Sequence, residues 1–292
     1  MPESEDAAAA FLERFFQRPP VIYSDLLKGR TRVSVYLEKI GRETAASLRR
    51  GLREMGLKTQ KITVSKLPRE NWAESWKRHF KPLKISPSLL IKPSWSRRRA
   101  RPGQRVVVLD PGLSFGTGQH ATTLFCLKRL AACRRVGTAQ SFLDIGTGSG
   151  ILAIAAAKLG YSPVEAFDFD PESIRVSRSN AVKNRVQHRV RPQLKDLTGL
   201  PLKSQRRYDV ICANLIDDLL ISQAEKIYNR LKPGGQLIVA GILRKQFPAV
   251  KKVFVTFCLK FVTELSQKEW QSGQFAMCSR CDALGNAEHN IS

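Results

Sequence analysis

The chain of 292 residues carries 49 Lys and Arg against 25 Asp and Glu, a formal charge of +24, with 42% hydrophobic residues. This is the composition of a folded protein and excludes a chain disordered throughout; the length suits roughly two domains at about 150 residues each. The longest apolar stretches, such as Ile151 to Leu159, fall far short of the ~20 residues a membrane helix needs. Met1 to Asp6 also lacks the basic start of a secretion signal, so no membrane contact and a cytoplasmic protein are expected.

In chain order, Glu5 to Gln17 reads as a short helix, with Phe11, Leu12, Phe15 and Phe16 to one side and Pro19-Pro20 to stop it. Arg32 to Glu38 alternates Val33, Val35 and Leu37 with polar residues, the period of a half-buried strand. A helix follows from Glu43 through Leu48, Leu52 and Met55, with Gly56 placed to end it, and Lys58 to Leu67 alternates again. Residues 1–67 thus read as a small α/β domain without chemically active side chains, suited to substrate recognition. Residues 68–103 read as an aromatic and basic connector holding Trp72, Trp76, Phe80, Pro82, Pro87, Pro93 and Trp95. From Lys77 to Leu109 there are ten Lys or Arg and no acid, among them Arg97, Arg98, Arg99, Arg101 and Arg105. Such a block attracts phosphate without reading sequence, so contact between segment 77–105 and rRNA, or a protein bound to it, is expected.

From 104 to 278 strands and helices alternate. Strands are expected at Val106 to Leu109, Ser141 to Asp144, Val164 to Asp168, Val190 to Leu194, Asp209 to Ala213, Gln236 to Gly241, Phe254 to Lys260 and Gln274 to Cys278. Helices are expected at Thr122 to Leu130, Ile151 to Leu159, Glu172 to Val182 and Asp217 to Leu231. The alternation predicts an α/β fold with a doubly wound, mostly parallel sheet; residues 279–292 have no periodicity and read as a flexible tail. The six cysteines read as free thiols, and the CxxC pair Cys278 and Cys281 lacks the second half-site of a zinc centre, so no metal is expected.

The strongest chemical signal is Asp144-Ile145-Gly146-Thr147-Gly148-Ser149-Gly150, an apolar strand end entering a glycine loop and then a helix. Glycines let a ligand approach the backbone closely. Asp168 closes the next strand, where a carboxylate can accept both hydroxyls of a ribose, and ligands of such sheets sit outside the carboxyl ends of the strands. Upstream, Asp110 to Thr123 packs three glycines and three threonines before a helix, and Tyr208 to Ala213 ends in Asn214-Leu215.

The glycine loop, its downstream acid and the Lys232-Pro233-Gly234-Gly235 turn resemble the S-adenosylmethionine-dependent methyltransferases of class I, from about Val106 to Met277. More narrowly, the chain resembles the ribosomal protein L11 methyltransferase family, bacterial enzymes that methylate amino groups of that large-subunit protein. The resemblance lies in Glu70-Asn71-Trp72, Phe80-Lys81-Pro82, Asp110 to Thr123, Asp144 to Gly160, Phe167 to Pro171, Ala213-Asn214-Leu215 and Gly241-Ile242-Leu243. It implies a protein-lysine N-methyltransferase that uses S-adenosyl-L-methionine on a large-subunit ribosomal protein, held by residues 1–67. It also implies that Thr123, Gly146, Asp168 and Asn214 hold the donor, beside Asp144, Gly148 and Gly150 of the loop, and that Asn214 and Thr117 lie near the incoming amine. Phe115 reads as a pocket wall. Asp196 is either a partner of the adenine amino group or an ordinary loop aspartate, and His120 reads as structural. Gln119, Ala121 and Thr147 depart mildly from the family pattern.

A sulfonium methyl is already activated, so transfer needs a neutral amine and alignment. Deprotonating a lysine of reference pKa ~10.4 costs roughly 4.6 kcal/mol at pH 7, less in an apolar pocket, so no dedicated base is required. The alternatives are another protein lysine or ribosomal RNA as acceptor. Asn214-Leu215-Ile216 lacks the Pro-Pro-aromatic of adenine methyltransferases, and Cys212 lacks the preceding proline of cytosine-C5 enzymes.

Overall fold

The computed structural model describes residues 3–17, 21–25, 30–35, 37, 44–56, 62–63, 81–110, 120–257 and 259–278. The chain divides into two compact units, Met1–Glu74 and Ser75–Ser292.

The first unit holds helix α1 (Glu3–Phe16), the antiparallel hairpin β1 (Val21–Asp25) and β2 (Arg30–Ser34), and helix α2 (Thr44–Glu54). Leu12, Leu48 and Leu52 form its core, with Phe11, Phe16, Val33, Val35 and Ile62 packed around them. A Cβ at Gly51 would collide with the Phe11 ring, so a side chain there would push α1 away from α2. Two differences from the expected elements stand out. β1 was not expected, because Val21-Ile22-Tyr23 is a short run without alternation, and β2 begins earlier and stops at Ser34. The strand expected over 58–67 lies outside the described residues except 62 and 63, which are not in a strand.

The second unit opens with a three-stranded sheet of β3 (Leu83–Ser86), β4 (Leu89–Lys92) and β5 (Arg105–Val108), in that order, the first pair antiparallel and the second parallel. The connector expected over 68–103 therefore contains a hairpin of the second unit, and the strand expected at 106–109 pairs with that hairpin and not with the main sheet. Burial explains this: Leu89, Ile91 and Val107 are almost wholly buried in one core with helix α3 (Ala121–Cys133), and Leu90 between them is buried too.

The main sheet takes β6 (Phe142–Ile145), β7 (Val164–Asp168), β8 (Gln193–Leu194), β9 (Tyr208–Asn214), β10 (Leu231–Leu243), β11 (Leu259–Gln267) and β12 (Trp270–Met277) in the order β11-β12-β10-β9-β6-β7-β8. β12 runs antiparallel to β10 and β11; the other pairs are parallel. Between strands lie α4 (Ile151–Leu159), α5 (Pro171–Lys183), α6 (Asp217–Ser222), α7 (Ala224–Tyr228) and α8 (Phe247–Thr256). Successive strand residues enter opposite cores, as alternation requires. Phe142, Val210, Cys212, Ile238 and Ala240 pack with α3, α4 and α5, whereas Leu143, Ile211, Ala213, Leu237 and Val239 pack with α6, α7 and α8. The chain runs from β6 outward to β8, then crosses to β9 on the other side of β6, so the order reverses between β6 and β9.

Three other expectations change. The helix expected over 217–231 breaks at Gln223, and Leu231 pairs with Tyr208 as the first residue of β10. The strand expected from Phe254 starts only at Leu259, because Phe247, Val250 and Phe254 bury one stripe of α8. The strand expected over 190–194 shrinks to two residues and a bridge from Val190 to Val164.

Candidate functional site

The glycine loop lies at the carboxyl end of β6, at the point where the strand order reverses. That is the crevice in which open parallel sheets bind ligands. Gly146 and Thr147 donate their N–H groups to the Phe167 carbonyl at 3.0 Å each, and Gly150 N donates to Thr147 O at 2.8 Å. Gly146 and Gly150 both need glycine, with φ of 71° and 81°. A Cβ at Gly146 would stand 2.5 Å from Leu215 Cδ2, and one at Gly150 would stand 2.9 Å from Ser177 Cβ. The loop is also held from α5, where Asn180 Nδ2 donates to Ser149 O at 2.8 Å.

Two carboxylates brace this loop. Asp144 is wholly buried; its Oδ2 accepts from Thr147 Oγ1 at 2.7 Å and from Ala153 N at 3.2 Å, in the first turn of α4. Burial pushes its pKa up to about 7, the nearby Asp168 charge adds to the rise, and the two hydrogen bonds oppose it. Asp168, at the end of β7, accepts from Gly148 N at 2.8 Å through Oδ2 and from Asp170 N at 3.1 Å through Oδ1. Each oxygen keeps a second lone pair for a hydroxyl.

Asn214 ends β9 beside this loop, and Leu215 N donates to Ala240 O at 3.0 Å. A Cβ at Gly241 would stand 2.7 Å from Leu215 O and 3.1 Å from Asn214 Oδ1, so glycine there lets β10 approach. Thr123, in the first turn of α3, is 1% exposed. Asp196 stands in the loop after β8, fully exposed, with Oδ1 and Oδ2 accepting from Thr198 N at 2.9 Å and Thr198 Oγ1 at 2.6 Å; these bonds hold its carboxyl below the usual range. His120 precedes α3, its Nδ1 hydrogen-bonded to Thr122 Oγ1 at 2.8 Å and its ring edge-on to Trp270. The structure thus places Asp144, Gly146, Gly148, Gly150, Asp168 and Asn214 around one loop and Asp196 two strands away. Phe115 and Thr117 lie outside the described residues, as does Cys281.

One feature of this edge escaped the sequence reading. Phe169, directly after Asp168, is 73% exposed, while Phe167 is buried in the core. The alternation in Phe167-Asp168-Phe169-Asp170 was the available signal: one phenylalanine belongs to the strand's inner face and the other to the mouth of the crevice.

Residues 5–277 match the family model described as Ribosomal protein L11 methyltransferase (PrmA). The chain belongs to the ribosomal protein L11 methyltransferase family. A relative of that name from Trichlorobacter lovleyi is 43% identical over 71% of this chain and 68% of its own. Another, from Streptococcus uberis, is 35% identical over 80% of this chain and 74% of its own. The crystal structure of the ribosomal protein L11 methylase from Lactobacillus delbrueckii subsp. bulgaricus superposes with a TM-score of 0.59 at 28% identity, covering 68% of this chain and all of that one.

The chain is a methyltransferase of the class I fold, and its methyl donor is S-adenosyl-L-methionine. The residues present fit that donor. Among the described residues, four buried side-chain oxygens have no hydrogen-bond partner, and three belong to residues expected to hold it: Thr123 Oγ1, Asp144 Oδ1 and Asn214 Oδ1. A buried polar atom left unpaired costs about 1–3 kcal/mol, a cost that a polar ligand at this edge removes. No helix among the described residues is long and apolar enough to cross a membrane.

Proposed function

We propose that this chain methylates amino groups of ribosomal protein L11, lysine side chains above all, in the cytoplasm. The observation that supports this most is the extent of the family match, residues 5–277, which takes in both units and every donor-site residue described above. In this reading Thr123, Asp144, Gly146, Gly148, Gly150, Asp168, Asp196 and Asn214 hold the donor, and residues 1–67 hold the protein. The bound donor supplies a methyl group already activated by its sulfonium. Asp168 offers its free lone pairs to the ribose hydroxyls, and the bare backbone of Gly146 to Gly150 admits the donor close to the loop. Asn214 Oδ1, unpaired and at the carboxyl edge, accepts from the substrate amine and orients its lone pair. Phe115 and Thr117 complete the acceptor side, and the apolar wall lowers the cost of keeping the amine neutral.

The same reading includes contact with rRNA through segment 77–105, supported by the exposure of Arg97, Arg98, Arg99, Arg101 and Arg105. The test is to incubate the purified chain and labelled S-adenosyl-L-methionine with ribosomal protein L11 and, separately, with protein-free rRNA. Label on L11, mapped to lysines by mass spectrometry, is the expected result; label on rRNA alone overturns the proposal.

A further inference from the structure

The amino edge of the main sheet, opposite the glycine loop, carries two clefts with different charge balance. One, of about 550 Å³, is lined by Glu165, Arg206, Tyr208 and Lys232 among others. Its cations face acids: Arg206 pairs with Glu165, and Lys232 with Asp209 at 2.8 Å. The other, of about 490 Å³, lies between the start of β5, the end of α4 and the segment after α5, and is lined by Arg105, Lys158, Arg185, His188 and Arg189 with no acid. Among the described residues none of Arg105, Lys158 and Arg185 is in an ion pair. Burial and then the charges of Arg185 and Arg105 lower the Lys158 pKa, so these cations crowd one another without a counterion.

The cleft is firmly built. Asn184 joins two of its walls, accepting from Val108 N and donating to Val108 O, both at 2.7 Å. Arg189 Nη2 donates to Tyr161 O at 2.9 Å. The last carbonyls of α4 are satisfied by the Gly160 N–H and by Arg134, which bonds Leu159 O and Gly160 O, so Lys158 is not spent on capping. The β4–β5 loop, with exposed Arg97, Arg98, Arg99 and Arg101, leads into the cleft through Gln104 of its lining, whose Oε1 accepts from Arg101 N at 3.3 Å. Lys92 Nζ fastens that loop by donating to Ser96 O and Arg98 O at 3.0 Å each.

The geometry points to this cleft as a docking site for the sugar-phosphate backbone of RNA, continuous with the arginine loop and separate from the donor site. A single small anion would leave the arginine loop unused, whereas a row of phosphates neutralises both. The cleft lining holds no Phe, Tyr or Trp to form a stacking platform, and its cations meet phosphates and not base edges, so binding is indifferent to sequence. This deepens the rRNA contact proposed above and rests on it for the choice of RNA.

The test measures anisotropy of a fluorescein-labelled 20-nucleotide RNA hairpin with the full chain across a KCl series. Lys158→Gln with Arg185→Asn is expected to weaken binding roughly tenfold at low salt and to reduce the slope of log K against log[KCl] by about two. Lys245→Gln with Lys252→Gln, exposed cations elsewhere on the same unit, is expected to change binding less than twofold, and both pairs to leave methylation of free L11 intact. Donor binding and circular dichroism check folding, and Arg105→Gln serves as a second variant. Equal effects of the two pairs, no effect of the cleft pair, or displacement of the hairpin by inorganic phosphate beyond KCl of the same ionic strength each overturn the site. Loss on Arg97→Gln with Arg99→Gln alone overturns the cleft but leaves the segment 77–105 reading standing. Hairpin binding without any methylation of L11 sinks the proposed substrate and not the cleft.

Discussion

Asp168 both fixes the glycine loop, through Gly148 N, and presents free lone pairs at the crevice mouth. Asp168→Ala should therefore weaken binding of the methyl donor by about 1.5–3 kcal/mol, the worth of hydrogen bonds to a charged group, read by calorimetric titration; unchanged affinity would remove it from the site. Asp144 makes a prediction of opposite character. Its pKa in the fold is about 7, against an ordinary 3.8, so between these values the folded state binds a proton that the unfolded chain has released. Stability must then fall as pH rises from about 4 to about 7, by on the order of 4 kcal/mol at ~1.36 kcal/mol per unit, and level off above. Urea unfolding at pH 5 and pH 8 measures the slope. Asp144→Asn, which cannot titrate, should flatten it, and an equal slope in both proteins would place the titrating group elsewhere.

At the scale of elements, close approach decides more than propensity. Gly150 begins α4 at φ 81° with Ser177 Cβ only 2.9 Å from where its own Cβ would be. Gly150→Ala should cost about 1–3 kcal/mol in thermal or urea unfolding, from backbone strain and from the forced retreat of α5. Asn184→Ala should cost a similar 1–3 kcal/mol by stranding the N–H and carbonyl of Val108, the tie between β5 and α5. The loop, Asp168 and Asn214 were legible in the sequence because each sits within a few residues of a strand end and needs a particular residue type there. The alternating βα pattern gave most of the main sheet for the same reason. What could not be read was decided by distant partners. Residues 83–92 look like connector until Val107 supplies the neighbouring strand, and Phe254 suits a strand or a helix until its stripe with Phe247 and Val250 is buried. Thr123 was picked out by the resemblance alone, since its local pattern is that of any helix-start threonine; the structure adds its complete burial with an unpaired oxygen.

Over the whole molecule, the sheet's direction separates two kinds of chemistry. The donor loop occupies the carboxyl edge, and the basic cleft lies at the amino edge, one length of α4 away; nine residues at 1.5 Å each make that about 13 Å. The charge of +24 is thus not spread evenly with respect to function. One cluster of cations without ion pairs, Arg105, Lys158 and Arg185, lies where no donor or acceptor residue lies, while Arg206 and Lys232 of the neighbouring cleft are matched by Glu165 and Asp209. Two ligands on opposite edges, with no residue in common, should bind without competition, and any coupling must be equal in both directions. A saturating RNA hairpin should therefore leave the affinity for S-adenosyl-L-methionine within about twofold, because no shared group gives either ligand a differential interaction to exert on the other. Calorimetric titration of the donor with and without hairpin decides the matter. A donor affinity that collapses in RNA would mean that the polyanion reaches the carboxyl edge, and the division of the sheet into a chemical edge and a docking edge would fail.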